Sequence, residues 1–316
     1  MAIQEGKVVI IGAGMVGSQT LSAVLREAVV NEIVLIDMNK EKAQGEVLDA
    51  SHTTAFAYSS NVNIHTGDYS ECKDAHIIVM SAGPSITKGN TMDRSLLLNK
   101  NIAVMHDVMT NITKYTKEAI IIVISNPLDA LVYYGQHAFD YPRHKMIGTG
   151  TLLDTARLRK IIGETCGVDS KNVHGYVLGE HGESAFVTWS DVNIAGIPFE
   201  DLNTTFQTKL VKEEIYNEMR SVGFDILQLK GYTNVGVAAA CARIIKCIVL
   251  NEKSVLPISN VPDGEYGLHD VALSLPCIVG SQGIERILEI PLTIAERACL
   301  ERSTAKLKEE NSKIEA

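Results

Sequence analysis

His181 stands between glycines in Gly179-Glu180-His181-Gly182, a setting that leaves an imidazole free to reach into a cleft. A surface loop histidine would read the same. Asp154 and Arg157 lie three apart in the helix-type stretch TLLDTARLRKII, so they share a face. Spacing alone also fits a routine surface ion pair. Arg94 ends a polar loop that starts at Pro84. Together these residue types form a complete set for hydride transfer to a 2-oxo acid. The forming alkoxide needs a proton donor, and histidine titrates in the right range. A carboxylate orients the imidazole and favours its protonated form. A planar guanidinium takes a substrate carboxylate bidentately. A further cation polarises the carbonyl as charge builds, and a mobile loop can bring it in while excluding water.

Hydride transfer needs a carrier, and the N-terminal stretch KVVIIGAGMVG has the pattern that holds one. A buried-type strand breaks at Gly12-Ala13-Gly14-Met15-Val16-Gly17, and SQTLSAVLREAVV follows with helical spacing. Gly12 permits the tight turn, Gly14 lets the backbone approach a pyrophosphate, and Gly17 lets helix and strand pack closely. Free N–H groups of Met15, Val16 and Gly17 at the helix start would face the anion. Asp37 ends the next apolar run, EIVLID, and can bond the ribose hydroxyls of an adenosine half. It would repel a 2′-phosphate, so NAD is expected rather than NADP. An acid capping the next helix is the plainer alternative.

These residues must be carried by alternating elements. Further strand-like runs lie at 62–65, 75–80, 119–124 and 145–147, with helical patterns at roughly 40–57, from 94 to about 117, and 128–138. The expected fold class is α/β, a Rossmann-type doubly wound parallel sheet over residues 1–148. Topology alone then gathers Gly12 to Gly17, Asp37, the Gly83–Arg94 loop and Asn126 at one sheet edge. Beyond 149 the texture changes. Strand-like runs at 173–178 and 184–197, long helices over about 207–229 and 232–250, short strands between 254 and 290, and a charged helix over 292–314 suggest an α+β catalytic domain, 149–316.

Composition narrows the partners. The 316 residues carry a net charge of −9, and no Lys/Arg cluster offsets it, so neither nucleic acid nor an anionic membrane is an expected partner. No apolar run reaches the length of a membrane span, and MAIQEGK has no hydrophobic signal core. The six cysteines form no C-x-x-C and no zinc spacing with histidine, so no metal site is expected and the thiols read as reduced, in a cytoplasmic protein.

GAGMVG, SNPLD, GTGTLLDTARLR, LGEHGES and KGYT occur in this order. With these motifs the chain resembles the L-lactate dehydrogenase/malate dehydrogenase family, in its lactate dehydrogenase-like branch, over nearly its whole length. The resemblance implies roles. His181 is the proton donor and acceptor, Asp154 its carboxylate partner, Arg157 the binder of the substrate carboxylate and Arg94 the loop arginine. Asn126 lies near the cofactor and the substrate oxygen, Gly83 lies beside the cofactor, and Thr233 is on the substrate wall. The 83–94 loop departs from the family pattern A-G-x-x-Q-x-P-G-E-x-R. It reads AGPSITKGNTMDR, is longer, and has neither the glutamine of lactate dehydrogenases nor the arginine of malate dehydrogenases. Counted from Gly83 the matching residue is Ile86, and counted back from Arg94 it is Lys88. An apolar residue suits lactate or longer alkyl groups, whereas Lys88 would greet a dicarboxylate. A lengthened loop ending in Asp-Arg is also similar to L-2-hydroxyisocaproate dehydrogenases. Arg159 and His174 match an arginine and a histidine that bind fructose 1,6-bisphosphate between subunits of bacterial tetramers. A helix-surface arginine and a strand-end histidine would look the same. The implied activity is NAD-dependent interconversion of pyruvate and L-lactate by a homo-oligomer, with a tetramer favoured. Branched 2-oxo acids and malate are the alternatives. A catalytically inactive NAD-binding regulator is a third alternative, but it would not need the His181, Asp154 and Arg157 set.

Overall fold

Runs such as KVVII and EIVLI are apolar on both faces, which suits strands covered on both sides by helices. In the computed structural model they are. The structure describes residues 6–56, 61–86, 88 and 94–314, without the side chains of 94 and 95. Strands β1 (Lys7–Ile11), β2 (Glu32–Ile36), β3 (Asn63–Thr66), β4 (Ile77–Met80), β5 (Ile120–Val123) and β6 (Met146–Gly148) pair in parallel in the order β3-β2-β1-β4-β5-β6. The order reverses between β1 and β4, which opens a crevice at their carboxyl ends. Helices α1 (Met15–Glu27), α2 (Lys40–His52), α3 (Arg94–Ile112) and α4 (Leu128–Phe139) make the crossovers. Alternation along β1 sorts the core. Val8 and Ile10 share one cluster with Leu21 and Val24 of α1, while Val9 and Ile11 share the other with Met105 and Met109 of α3.

The second half contributes α5 (Leu152–Cys166), β7 (Val173–His174), β8 (Val177–Leu178), β9 (Phe186–Val187), β10 (Asn193–Ile194) and β11 (Ile197–Pro198). It continues with α6 (Phe199–Phe206), α7 (Lys212–Lys230), α8 (Val235–Val249), β12 (Ser254–Asn260), β13 (Leu273–Gly280), β14 (Gly283–Ile287) and α9 (Ile294–Asn311). Three expectations change in detail. The run 173–178 is two strands, because Gly175 turns the chain at φ +142 and sends β7 to β10 and β8 to β9. The helix expected from about 207 starts at Lys212. Residues 199–206 form their own helix, ending at Gln207 in a left-handed conformation, and Asn203 ties the corner by bonding both the N–H and the carbonyl of Leu210. The strands after 254 are not a separate layer. Ser259 of β12 pairs with Gly148 of β6, so β12, β13 and β14 extend the parallel sheet as an antiparallel edge, nine strands among the described residues. Pairing so distant in sequence leaves no local signature. Among the described residues, no helix is long and apolar enough to cross a membrane.

Candidate active site

The glycine turn is built as its spacing requires. Gly12 adopts φ +106 and donates its N–H to Ile36 at 2.8 Å. Ser81, at the end of β4, donates its hydroxyl to the Ile11 and Gly12 carbonyls at 2.9 Å each. A Cβ on Gly17 would lie 1.8 Å from the Gly12 carbonyl oxygen, whereas one on Gly14 would meet nothing within 4 Å. So Gly17 serves packing and Gly14 leaves room for a ligand. Among the described residues no side chain caps α1 at Gly14, and no acid lies in its first turn, so its N–H groups remain open to an anion. Asp37 accepts from Ala13 N–H at 2.6 Å and Asn39 N–H at 2.8 Å, which holds its carboxylate beside the turn. The cap of α2 is Asn39, not Asp37. Each Asp37 oxygen keeps a lone pair for a hydroxyl. These residues fit a dinucleotide.

Beside the turn lies a cavity of about 280 Å³ lined by Gly14, Met15, Val16, Gly83, Ile86, Asn126 and Thr233, among others. Gly83 has φ +121, and a Cβ there would sit 2.1 Å from Asn101 Oδ1. Asn101 is fully buried, and its amide donates to the carbonyls of Pro84 at 3.0 Å and Asn126 at 2.6 Å. It joins the loop start to the segment after β5, where the Asn126–Pro127 peptide is cis. Asn101 is not legible in the sequence, because two asparagines in RSLLLNKNIAVM, Asn99 and Asn101, look alike there.

His181 Nδ1 and Asp154 Oδ2 are 2.9 Å apart, and Arg157 Nη1 donates to Asp154 Oδ1 at 2.9 Å. The helix spacing in α5 brings the carboxylate and the guanidinium together, and the tertiary fold supplies the imidazole. Burial pulls the His181 pKa down, but the Asp154 charge and hydrogen bond, with Asp129 adding, outweigh it and raise the imidazole above its ordinary value. Burial likewise works against ionised Asp154, and His181 and Arg157 overcome it to hold this carboxyl below its usual range. Nδ1 is committed to Asp154, which leaves Nε2 for a reacting oxygen. Among the described residues only Asp154 bonds the Arg157 guanidinium, so the rest of its fork is available. A Cβ on Gly223 of α7 would lie 3.5 Å from that guanidinium, and Gly223 also lines the cavity.

The irregular loop sorts its two candidates. Ile86 lines the cavity. Lys88 instead donates its backbone N–H to Gly231 at 3.1 Å and its Nζ to the Gln228 carbonyl at 2.8 Å, at the carbonyl-rich end of α7. Arg94 opens α3, and its side chain lies outside the described residues. Arg159 donates to the Gly175 carbonyl at 3.1 and 3.3 Å and packs over the Tyr176 ring. His174 is exposed, and neither residue lines the cavity.

A larger groove of about 680 Å³ runs between residues 183–189, α7 and α9. His181, Asp154 and Arg157 line neither it nor the smaller cavity, but the smaller one includes the glycine turn and borders the Arg157 guanidinium at Gly223. Glu32, His65 and Glu71 cluster as metal ligands do, yet Lys7 Nζ supplies the positive charge there, 2.6 Å from Glu71 and 2.8 Å from Asp74.

The model for the NAD binding domain of lactate/malate dehydrogenase matches residues 6–148, and that for the alpha/beta C-terminal domain matches 151–316. The chain belongs to the lactate/malate dehydrogenase family. It is similar to L-lactate dehydrogenase 2 of Clostridium acetobutylicum, 55% identical over 310 residues, covering 98% of this chain and 97% of that one. L-lactate dehydrogenase of Selenomonas ruminantium is 48% identical, covering 91% of each. The minor L-lactate dehydrogenase of Enterococcus mundtii, solved in a ligands-bound form, superposes with a TM-score of 0.92 at 34% identity, covering 98% of this chain and 99% of that one. As a family member the chain is an NAD-dependent dehydrogenase. The part matched by the NAD-binding model carries the glycine turn, Asp37, Gly83 and Asn126, and the part matched by the second carries Asp154, Arg157, His181 and Thr233.

Proposed function

We propose that this dehydrogenase interconverts pyruvate and L-lactate. The observation that carries the reading is the chain of contacts from Arg157 through Asp154 to His181, next to a cavity whose loop contributes an aliphatic Ile86. Arg157 anchors the substrate carboxylate. His181 Nε2 gives its proton to the substrate oxygen in reduction and takes it back in oxidation. Asp154 keeps the imidazole oriented and cationic. Arg94 polarises the carbonyl, Asn126 orients the cofactor edge and the oxygen, and Thr233 closes the wall. NAD, when bound over Gly12 to Gly17 and Asp37, supplies or removes the hydride.

Malate is less well served, because Lys88 Nζ, which could meet a second carboxylate, is engaged by the Gln228 carbonyl, and of the two loop candidates it is Ile86 that lines the cavity. Branched 2-oxo acids remain a second reading, since Ile86 would accept a longer alkyl group. The division into 1–148 and 149–316, the tetramer, fructose 1,6-bisphosphate binding at Arg159 and His174, and a cytoplasmic location complete the proposal. The C. acetobutylicum and S. ruminantium relatives, both named L-lactate dehydrogenase, support it. One panel tests it: NADH oxidation with pyruvate, 4-methyl-2-oxopentanoate and oxaloacetate, each with and without fructose 1,6-bisphosphate. Highest kcat/KM on pyruvate is expected. Preference for the branched acid would replace the substrate, and no turnover with any of the three would sink the reading.

A further inference from the structure

Asp129 lies in the first turn of α4 and is 3% exposed. Its Oδ2 accepts the backbone N–H of His181 at 2.7 Å, and its Oδ1 accepts the Ser259 hydroxyl at 2.5 Å. Ser259, fully buried on β12, is the residue that pairs with Gly148 of β6. One carboxylate therefore ties three elements together, the helix after β5, the antiparallel edge of the sheet and the loop that carries His181. We propose that Asp129 is a positioning residue for the reaction: it fixes the His181 backbone and places a negative charge beside the imidazole. This rests on His181 being the proton-transferring group.

Two physical arguments favour a role for the charge. First, burial pushes the Asp129 carboxyl up to about 6 even though Ser259 and His181 both bond it, so ionisation here opposes stability at neutral pH. An asparagine would fill the same space without that cost, so what the carboxylate adds is its charge. Second, that charge helps hold His181 protonated, alongside Asp154 and against Arg157. Facing Asp129 are His181 and Glu180 from the loop and Ser259 from β12. Glu180 opposes Asp129 ionisation, and although burial disfavours its own charge, Ser184 and Lys306 keep it ionised.

The test measures pyruvate reduction against pH for wild type, D129N, D129A, S259A and H181N, with NADH affinity from fluorescence titration and Tm from calorimetry. D129N is expected to keep NADH affinity and to keep or raise Tm above pH 6. Its alkaline limb in kcat/KM should move to lower pH, because the imidazole loses a neighbouring anion. S259A removes a bond to the ionised form and should shift the limb the same way by less. D129A, which also frees the His181 N–H, is expected to lose about 10- to 100-fold in kcat, the cost of a slightly misplaced group. An unshifted limb in D129N overturns the proposal. So does a D129A kcat within about twofold of wild type. If D129A does not fold, D129N and S259A decide. If H181N keeps the wild-type limb, the reading of His181 has failed instead, and the two failures are thereby told apart.

Discussion

At the scale of single residues, the site is a set of opposing effects on one imidazole. Burial would neutralise His181, and Asp154 restores the charge. Because its pKa is raised, the protonated form that the proposed reduction requires persists below that value and is lost as pH rises through it. The rate of pyruvate reduction should therefore fall on the alkaline side, and D154N should move this fall to lower pH while costing about 10²-fold or more in kcat. A D154N profile that coincides with wild type would remove Asp154 from this role. For stability the signs divide. The lowered Asp154 pKa contributes above the ordinary carboxylate range and is lost as pH falls, whereas the raised His181 pKa contributes at low pH and fades as pH rises. Arg157→Lys keeps the charge but loses the planar fork, so KM for pyruvate should rise at least about tenfold. An unchanged KM would mean that the substrate carboxylate sits elsewhere.

Helices and turns supply the placement. Gly17→Ala would press a methyl group onto the Gly12 carbonyl and spread α1 from β1. NADH affinity should then fall about tenfold or more, an effect of about 1.4 kcal/mol, readable by fluorescence titration. Full affinity in that variant would show that the turn tolerates a Cβ. At the other end of the chain α9 begins with a capping box, in which Thr293 and Glu296 satisfy each other's backbone N–H. Glu296 also bonds Ser190, and Ser303 farther along α9 accepts the Glu180 N–H next to His181. Thr293→Ala should cost about 1 kcal/mol of stability by denaturant titration, with pyruvate turnover less affected because the helix itself remains. The residues that escaped sequence reading act at this scale. Asn101, Ser259 and Ser303 hold backbone or make long-range bonds, and nothing in their neighbours along the chain marks them, whereas Asp129 closes the SNPLD motif but its partners lie far off in sequence.

Over the whole molecule, the nine-stranded sheet crosses the boundary proposed at 148–149. A fragment ending at Gly148 would leave β6 as an open edge and uncover the apolar faces of α4 and β6. It is expected to unfold well below the full chain when followed by circular dichroism, and equal Tm values would show that the edge strands contribute little. The thiols report on packing at the same scale. All six cysteines are free, and burial pushes Cys72 and Cys241 up to about 12. Native-state thiol titration should find Cys166 and Cys299 first, because the other four are buried.

Local pattern determined much of this protein by itself. Gly12, Gly14 and Gly17 announce their turn because each answers a constraint within a few residues, and apolar runs declare buried strands. Asp154 and Arg157 share a face through helix geometry alone. What only the tertiary structure decided has a common cause in distance along the chain. It decided that Lys88 rests on α7 while Ile86 faces the cavity, that β12 to β14 complete the first sheet, and that His181 meets Asp154 over Asp129. Those contacts join residues that sequence spacing does not relate, and they are fixed by which buried donors and acceptors the packed core leaves for one another.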